Sequence, residues 1–135
     1  MKRNFIPCIF GSALLAMGLT AAAQAPPEQI TNPYYSQDEY QVTHSMFDKI
    51  QADLNYATTN AYPNNLGDTA RFDVARNELQ QLEQSWDRGQ YDSRQLDLTT
   101  SAIQMVLNDN RLVLHDREAL TEDLTRLGEF RAEYY

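Results

Sequence analysis

Apolar residues recur at the period of an α-helix through most of the chain after residue 35. In the first such segment they lie three, four or seven residues apart, at Tyr40, Phe47, Ile50, Leu54, Ala57 and Ala61. Ser36 and Glu39 match the S-x-x-E capping box, which predicts that this helix begins at residue 36. The segment YPNNLG at 62–67 is predicted to end the helix near Ala61, because proline, asparagine and glycine interrupt helices.

Two further segments show the same period. The second helix is predicted to have Asp68 as its N-cap and to end at Gly89, with an apolar stripe at Phe72, Ala75, Leu79, Leu82 and Trp86. The third is predicted to have Asp92 as its N-cap and to end at 108–110, where Asn110 tolerates the left-handed turn conformation. Its stripe is Leu96, Thr100, Ile103 and Leu107, with Val106 alongside.

A fourth helix is predicted to begin near His115, with a stripe at Leu120, Leu124, Leu127 and Phe130. Gly128 lies within this helical segment, although glycine costs about 1 kcal/mol relative to alanine in a helix interior. It indicates either a close contact with another helix or early fraying. Four amphipathic helices with short connections predict an all-α fold, a small up-and-down antiparallel helical bundle that occupies residues 36–135 as a single domain.

The segment WDRGQYDSRQL at 86–96 is the nearest approach to a chemical motif. An EF-hand calcium loop needs oxygen ligands at positions 1, 3, 5, 9 and 12 and a glycine at position 6. With Gly89 at position 6, Trp86 and Arg88 fall at positions 3 and 5, where neither supplies a carboxylate. The segment is therefore interpreted as a corner in which Gly89 ends one helix and Asp92 caps the next.

The first 25 residues have the three-part layout of a secretory signal peptide. Lys2 and Arg3 precede an apolar run at 5–19, and small residues then lead to the cleavage pattern Ala23-Gln24-Ala25. The run is too short to span a bilayer core of about 30 Å. We expect export to the periplasm or the extracellular space with cleavage after Ala25, which leaves an extended leader rich in proline and tyrosine at 26–35.

The chain that follows the signal peptide is acidic. Residues 1–25 hold two of the 11 Lys and Arg and none of the 19 Asp and Glu, so residues 26–135 carry 9 against 19, a formal charge of −10. This charge argues against binding to nucleic acid, which requires clustered positive charge, and against docking on an anionic membrane. It favours a cationic partner.

Residues suited to catalysis or metal binding are few. His44 and Asp48 lie one helical turn apart, a spacing that can hold a metal ion; a solvated histidine is the alternative interpretation. A di-iron bundle carries Glu-x-x-His, but Gln41 and Leu112 stand three residues before the two histidines. Residues 26–135 contain no cysteine nucleophile, no G-x-S-x-G turn and no phosphate-binding glycine loop. No cofactor is predicted.

Tyrosine is the remaining signal, because all eight tyrosines follow residue 25. Tyr34, Tyr35, Tyr134 and Tyr135, at the two ends of this part of the chain, are the candidates for binding a partner, and coverage of the core edge is the alternative. The sequence thus predicts an exported, acidic, non-enzymatic helical binding module of the cell envelope or extracellular space, with an adaptor, chaperone-like or inhibitory role. The alternative is a metal-binding protein or a small enzyme acting on an envelope polymer, built on carboxylates and histidine.

Overall fold

Four helices make up most of the described chain. The computed structural model describes residues 34–61 and 66–134, so the predicted signal peptide, residues 26–33 of the leader and Tyr135 lie outside the described residues. The helices are α1 (Gln37–Asn60), α2 (Leu66–Asp87), α3 (Ser93–Asp109) and α4 (Leu114–Tyr134). The described ranges contain no strand. The all-α prediction is confirmed.

Each helix packs antiparallel to its neighbours in the chain, and α4 closes the bundle against α1. Between α1 and α2, His44 contacts Asp87 at one end of the interface and Thr58 contacts Arg76 at the other. The other interfaces show the same reversed order. The contacts are Glu78–Gln95 and Asp68–Asn110 between α2 and α3, and Asp97–Arg131 and Leu107–Arg117 between α3 and α4. Between α1 and α4 they are Phe47–Phe130 and Tyr56–His115. The predicted up-and-down bundle is therefore confirmed.

The predicted apolar stripes form the core, with two corrections. All five stripe residues of α2 are buried, as are most residues of the other stripes. On α3 the fully buried threonine is Thr99 and not the predicted Thr100. The Thr99 hydroxyl has two acceptors for its one proton, the backbone oxygens of Glu78 at 3.0 Å and Gln95 at 2.9 Å, so its polar group is satisfied inside the bundle. On α4, Leu124 is only partly buried against the core.

The starts of α1 and α3 are confirmed by their caps, whereas α2 starts earlier than predicted. The backbone N–H of Glu39 donates to the Ser36 hydroxyl, and the Glu39 carboxylate accepts from the Ser36 backbone. The Asp92 carboxylate accepts from the backbone of Gln95 at 3.1 Å. Helix α2 begins at Leu66, so Asp68 lies in its first turn. The Asp68 carboxylate accepts from the side chain of Arg71 at 2.7 Å and is not the N-cap.

The two later corners differ in backbone conformation. Gly89 has a φ of +68°. Its N–H donates to the oxygen of Trp86 at 2.8 Å, and that of Gln90 donates to the oxygen of Ser85 at 2.9 Å. These two bonds make a Schellman motif, so the segment WDRGQYDSRQL is a helix corner. The left-handed conformation considered for Asn110 is wrong: its φ is −101°, and its side chain instead donates to the backbone oxygen of Asp68.

Gly128 lies on the exposed side of α4. The helix continues past it to Tyr134, and a Cβ placed on Gly128 would meet no atom of the described structure within 4 Å. Both explanations considered for this glycine, a close helix contact and early fraying, are therefore wrong.

Candidate functional site

Four helix termini meet at one end of the bundle: the starts of α1 and α3 and the ends of α2 and α4. Each of them contributes aromatic side chains. We call this cluster the aromatic end, and it comprises Tyr34 and Tyr35 before α1, Trp86 in the last turn of α2, Tyr91 before α3 and Tyr134 at the end of α4. The antiparallel topology brings these residues together from opposite ends of the described chain.

Trp86 is the buried centre of the aromatic end. The ring of Tyr35 stacks on it, with centroids 3.9 Å apart and planes 15° from parallel. Tyr134 and Tyr91 meet the indole nearly at right angles, with centroids at 4.7 Å and 5.5 Å, and stack on each other at 5.5 Å. Each such pair contributes about 0.5–1.5 kcal/mol beyond its buried area. The cluster therefore ties the end of the leader to α2 and α4.

Tyr34 covers the corner between α2 and α3. A Cβ on Gly89 would lie 2.5–2.9 Å from the ring of Tyr34, which is closer than carbon atoms approach without displacement. Glycine at this corner thus serves two purposes, since it permits the positive φ and leaves room for the ring.

The aromatic end retains exposed ring surface. Tyr34 is 67% exposed and Tyr91 is 44% exposed, while Tyr35 and Tyr134 are partly buried. Tyrosine offers an apolar face together with a polar hydroxyl, a combination that suits contact surfaces. The exposed rings lie at the same end of the bundle, with Tyr34 against Gly89 and Tyr91 against Trp86 and Tyr134, so a ligand at this end can contact them.

Three carboxylates, which we call the acidic rim, lie at the same end: Glu39 in the first turn of α1, Asp87 at the end of α2 and Glu133 beside Tyr134. Their field acts on the tyrosines. Burial raises the pKa of Tyr134, and the charges of Glu133 and Glu39 raise it further, against a hydrogen bond with Thr43. Two carboxylates of the acidic rim therefore lie close enough to Tyr134 to act on its hydroxyl.

Three of the four tyrosines predicted to bind a partner lie together at the aromatic end. They are Tyr34, Tyr35 and Tyr134; Tyr135 lies outside the described residues. Their role in binding stays a prediction. Sequence reasoning assigned Trp86 only to a core stripe and Tyr91 only to a corner. The signal that could have placed both residues at this end was the topology of an up-and-down bundle, because it brings the ends of α2 and α4 beside the starts of α1 and α3.

His44 lies next to this end, between two carboxylates of α2. Its Nδ1 is 3.0 Å from Glu83 Oε1, and its Nε2 is 2.9 Å from Asp87 Oδ1. The Tyr40 hydroxyl donates to the same Asp87 oxygen at 3.3 Å. Burial raises the pKa of Tyr40, and the charges of Asp87 and Glu83 add to the rise. We call these four residues the His44 cluster. Both ring nitrogens face α2, whereas Asp48, the other candidate metal ligand, is an exposed residue of α1.

Glu83 is the carboxyl group of the His44 cluster that holds a proton more tightly than usual. Burial raises the pKa of Glu83, and Asp87 and Asp48 add to the rise while His44 opposes it. A neutral imidazole has one N–H, so both contacts are hydrogen bonds only when the cluster carries an additional proton. The carboxylates of Glu83 and Asp87 face opposite nitrogens of the ring, so they do not converge with it on one point where a metal ion could bind. In residues 34–61 and 66–134, no group of three or more His, Cys, Asp or Glu is arranged to hold a metal ion. The His44–Asp48 metal pair stays a prediction.

Comparisons of the chain with protein-family models, with curated proteins and with solved structures found no match. None of the helices in the described parts of the chain combines the length and apolar character needed to cross a membrane. The aromatic end and the His44 cluster are thus the features from which a function is inferred.

Proposed function

We propose that this chain is an exported, non-enzymatic helical binding module whose aromatic end binds a cationic segment of a protein in the cell envelope or extracellular space. An adaptor, chaperone-like or inhibitory role suits such a module. The observation that carries the proposal is the exposed ring surface of Tyr34 and Tyr91 beside the acidic rim.

Aromatic faces and carboxylates attract the same kind of ligand. A lysine or arginine side chain over a tyrosine face gains about 0.5–1 kcal/mol at an exposed site. A carboxylate 4 Å away adds about 1 kcal/mol even in water. Burial is the main cause of the raised pKa values of Tyr40 and Tyr134, and the nearby carboxylates of Asp87, Glu83, Glu133 and Glu39 add to the rise, which supports attraction of cations at this end. Residues 34–134 hold 18 Asp and Glu against 9 Lys and Arg, and this net charge of −9 attracts cations at longer range.

The aromatic end is organised before any ligand arrives. Tyr35 is held by stacking on Trp86, and Tyr91 by stacking on Tyr134. A surface that is already ordered loses less conformational entropy on binding, which favours affinity. These contacts support a role for the tyrosines as fixed platforms.

Binding of defined peptides tests the proposal. We expect a peptide rich in lysine and arginine to bind, and a peptide of the same length rich in glutamate not to bind. The double variant Tyr34→Ala/Tyr91→Ala is expected to weaken binding about tenfold, because it removes both exposed rings and about 1.4 kcal/mol of binding energy. Isothermal titration calorimetry measures both effects.

The chain offers a matched control in Tyr56, a 58% exposed tyrosine that contacts His115 at the other end of the α1–α4 interface. Tyr56→Ala is expected to leave the affinity unchanged. Added salt is expected to weaken binding, because it screens the attraction between the peptide and the acidic rim. Equal affinity for the two peptides, or equal losses in the Tyr56 and Tyr34/Tyr91 variants, would contradict the proposal.

Export is part of the same proposal and is supported by the charged start, apolar run and cleavage pattern of residues 1–25. When the protein is expressed in a bacterial host with its own N-terminal segment, we expect it outside the cytoplasm with Pro26 as its first residue. Intact-mass measurement of the exported fraction checks this. Exported protein that retains residues 1–25 would refute the predicted cleavage.

A second candidate function is a metal-binding or polymer-hydrolysing site built on carboxylates and histidine. The observation in its favour is that Glu83 and Asp87 both contact His44. Glu83 also borders an open groove of about 490 Å³ between α1 and α2. A calorimetric titration with zinc, using His44→Ala as the control, separates the two proposals. Stoichiometric binding that the variant loses would favour the metal site.

A further inference from the structure

The corner between α2 and α3 holds the backbone of Gly89 in a fixed position at the aromatic end. The N–H of Gly89 donates to the oxygen of Trp86 at 2.8 Å. The N–H groups of Arg88 and Gln90 both donate to the oxygen of Ser85, at 3.2 Å and 2.9 Å. These backbone hydrogen bonds tie the corner to the last turn of α2, so the Cα of Gly89 is a rigid point on the surface.

Tyr34 lies with the face of its ring against this point. A Cβ built on Gly89 would lie 2.5 Å from Cγ of Tyr34, 2.6 Å from Cδ2 and 2.9 Å from Cδ1. A point in the plane of the ring cannot be so nearly equidistant from these three atoms at that range, so the missing Cβ lies over the face of the ring. One face of Tyr34 therefore rests on Gly89, and the opposite face is turned away from the corner.

The face turned away from Gly89 is the part of the ring that a cation requires. The face of an aromatic ring is negative and its edge is positive. A lysine or arginine group is attracted when it lies over the face, within about 6 Å of the ring centroid. Tyr34 is 67% exposed although Gly89 covers one of its faces. Its exposed surface therefore includes the face that attracts cations.

We propose that Gly89 is a positioning residue for cation binding at the aromatic end. Its bare backbone lets the ring of Tyr34 lie flat on the corner and present the opposite face to the ligand. This inference rests on the proposed function and identifies the residue that decides how Tyr34 is presented. Any Cβ at position 89 overlaps the ring and forces it off the corner.

The rest of the leader limits how Tyr34 can respond to such an overlap. Tyr35 stacks on Trp86 with centroids 3.9 Å apart, and Ser36 caps α1. The backbone that follows Tyr34 is therefore held in place, and the ring must tilt or leave the corner by rotation of its own side chain. Either movement turns the face of the ring away from the direction in which it points on Gly89.

The choice of substitution separates positioning from backbone strain. Alanine at position 89 adds a Cβ and also strains the positive φ of +68°. Asparagine adopts positive φ more readily than most residues with a side chain. Gly89→Asn therefore reduces the strain while its Cβ still meets the ring of Tyr34. Gly128→Asn is the matched control, because a Cβ at this helical glycine meets no atom of the described structure within 4 Å.

Isothermal titration calorimetry with a lysine-rich peptide tests the proposal in four proteins: the wild type, Tyr34→Ala, Gly89→Asn and the double variant. We expect each single substitution to weaken binding about threefold, the share of one ring in the tenfold loss expected for two. The double variant is also expected to lose about threefold and not about ninefold, because both substitutions remove the same contact. Gly128→Asn is expected to bind as the wild type does.

The dependence of the Gly89→Asn loss on Tyr34 is the result that a purely structural role of Gly89 would not produce. A second measurement is independent of the variants. In the NMR spectrum of the wild type, nuclear Overhauser effects are expected between the α-protons of Gly89 and the ring protons of Tyr34. Their absence would overturn the geometry on which the inference depends.

The titrations distinguish failure of this inference from failure of the proposed function. Wild-type affinity in Gly89→Asn, or an additive ninefold loss in the double variant, would overturn the role of Gly89 and leave cation binding at the aromatic end intact. A wild-type protein that does not bind the peptide would overturn the proposed function and this inference together.

Discussion

At the scale of single residues, Asp123 is the described carboxyl group that the fold buries most completely. Its side chain is fully buried in α4. One carboxyl oxygen accepts from Arg126 at 2.8 Å, and the other has no hydrogen-bond partner among the described residues. Burial raises the pKa of Asp123 to about 6; Asp53 adds to the rise, while Arg126 and Lys49 oppose it. Asp123 therefore holds a proton more tightly in the folded chain than in the unfolded chain.

The raised pKa of Asp123 predicts that the stability of the fold depends on pH. Because the folded pKa of about 6 lies above the ordinary 3.8, the contribution of Asp123 is fully present below about pH 4 and is lost as the pH rises through about 6. The difference corresponds to at most about 3 kcal/mol. Asp123→Asn is expected to raise the Tm at about pH 8 and to leave it unchanged at about pH 4, because the protonated acid and the amide are both neutral.

Thermal unfolding across this pH range measures the effect. Glu122→Gln is the control, because Glu122 is the exposed partner of the same Arg126. A gain in Tm at low pH as large as the gain at high pH would rule out the titration of Asp123 as its cause.

Two glycines predict opposite effects of the same substitution. Gly128→Ala is expected to stabilise the fold by about 1 kcal/mol, because Gly128 is helical and a methyl group there meets open space. Gly89→Ala is expected to destabilise it by about 1–2 kcal/mol, because the left-handed conformation is strained for alanine and the methyl group displaces the ring of Tyr34. Chemical denaturation of the two variants measures the sign of the change in the free energy of unfolding for each. The same sign for both would refute the conformations assigned here.

At the scale of helices, the central leucines of the stripes differ in burial and predict different losses. Leu82→Ala is expected to cost about 2–5 kcal/mol, because Leu82 is a buried residue of the core. Leu124→Ala is expected to cost less, because Leu124 is only partly buried. Denaturant unfolding compares the two. A larger loss for Leu124 would contradict the packing of α4 described here.

Helix bounds were predictable where the signal is local. The Ser36–Glu39 capping box and the Asp92 cap involve residues three apart, so the sequence alone indicates them. The start of α2 was missed, because the carboxylate of Asp68 binds the side chain of Arg71 and does not cap the backbone. Whether Thr99 or Thr100 is buried depends on the rotation of α3 against α2. The spacing of apolar residues does not determine that rotation to within one residue.

At the scale of the whole molecule, the antiparallel topology decides which helix ends, and therefore which side chains, lie together. The tyrosines could be predicted as candidates, but their assembly around Trp86 depends on four helix ends that are distant in the sequence. The partners of His44 were not predictable either. Glu83 and Asp87 lie on α2, and sequence reasoning considered only Asp48 on the same helix as His44.

The most direct measurement of the central claim locates the bound peptide. An NMR titration of the isotope-labelled protein with a lysine-rich peptide reports the backbone amides and the indole N–H of the chain's one tryptophan. If the aromatic end binds cations, the largest shifts will fall on the Trp86 indole and the amides of Tyr34, Gly89 and Tyr91, while Tyr56 stays unchanged. Shifts confined to residues away from the aromatic end, or no shifts at all, would contradict the claim.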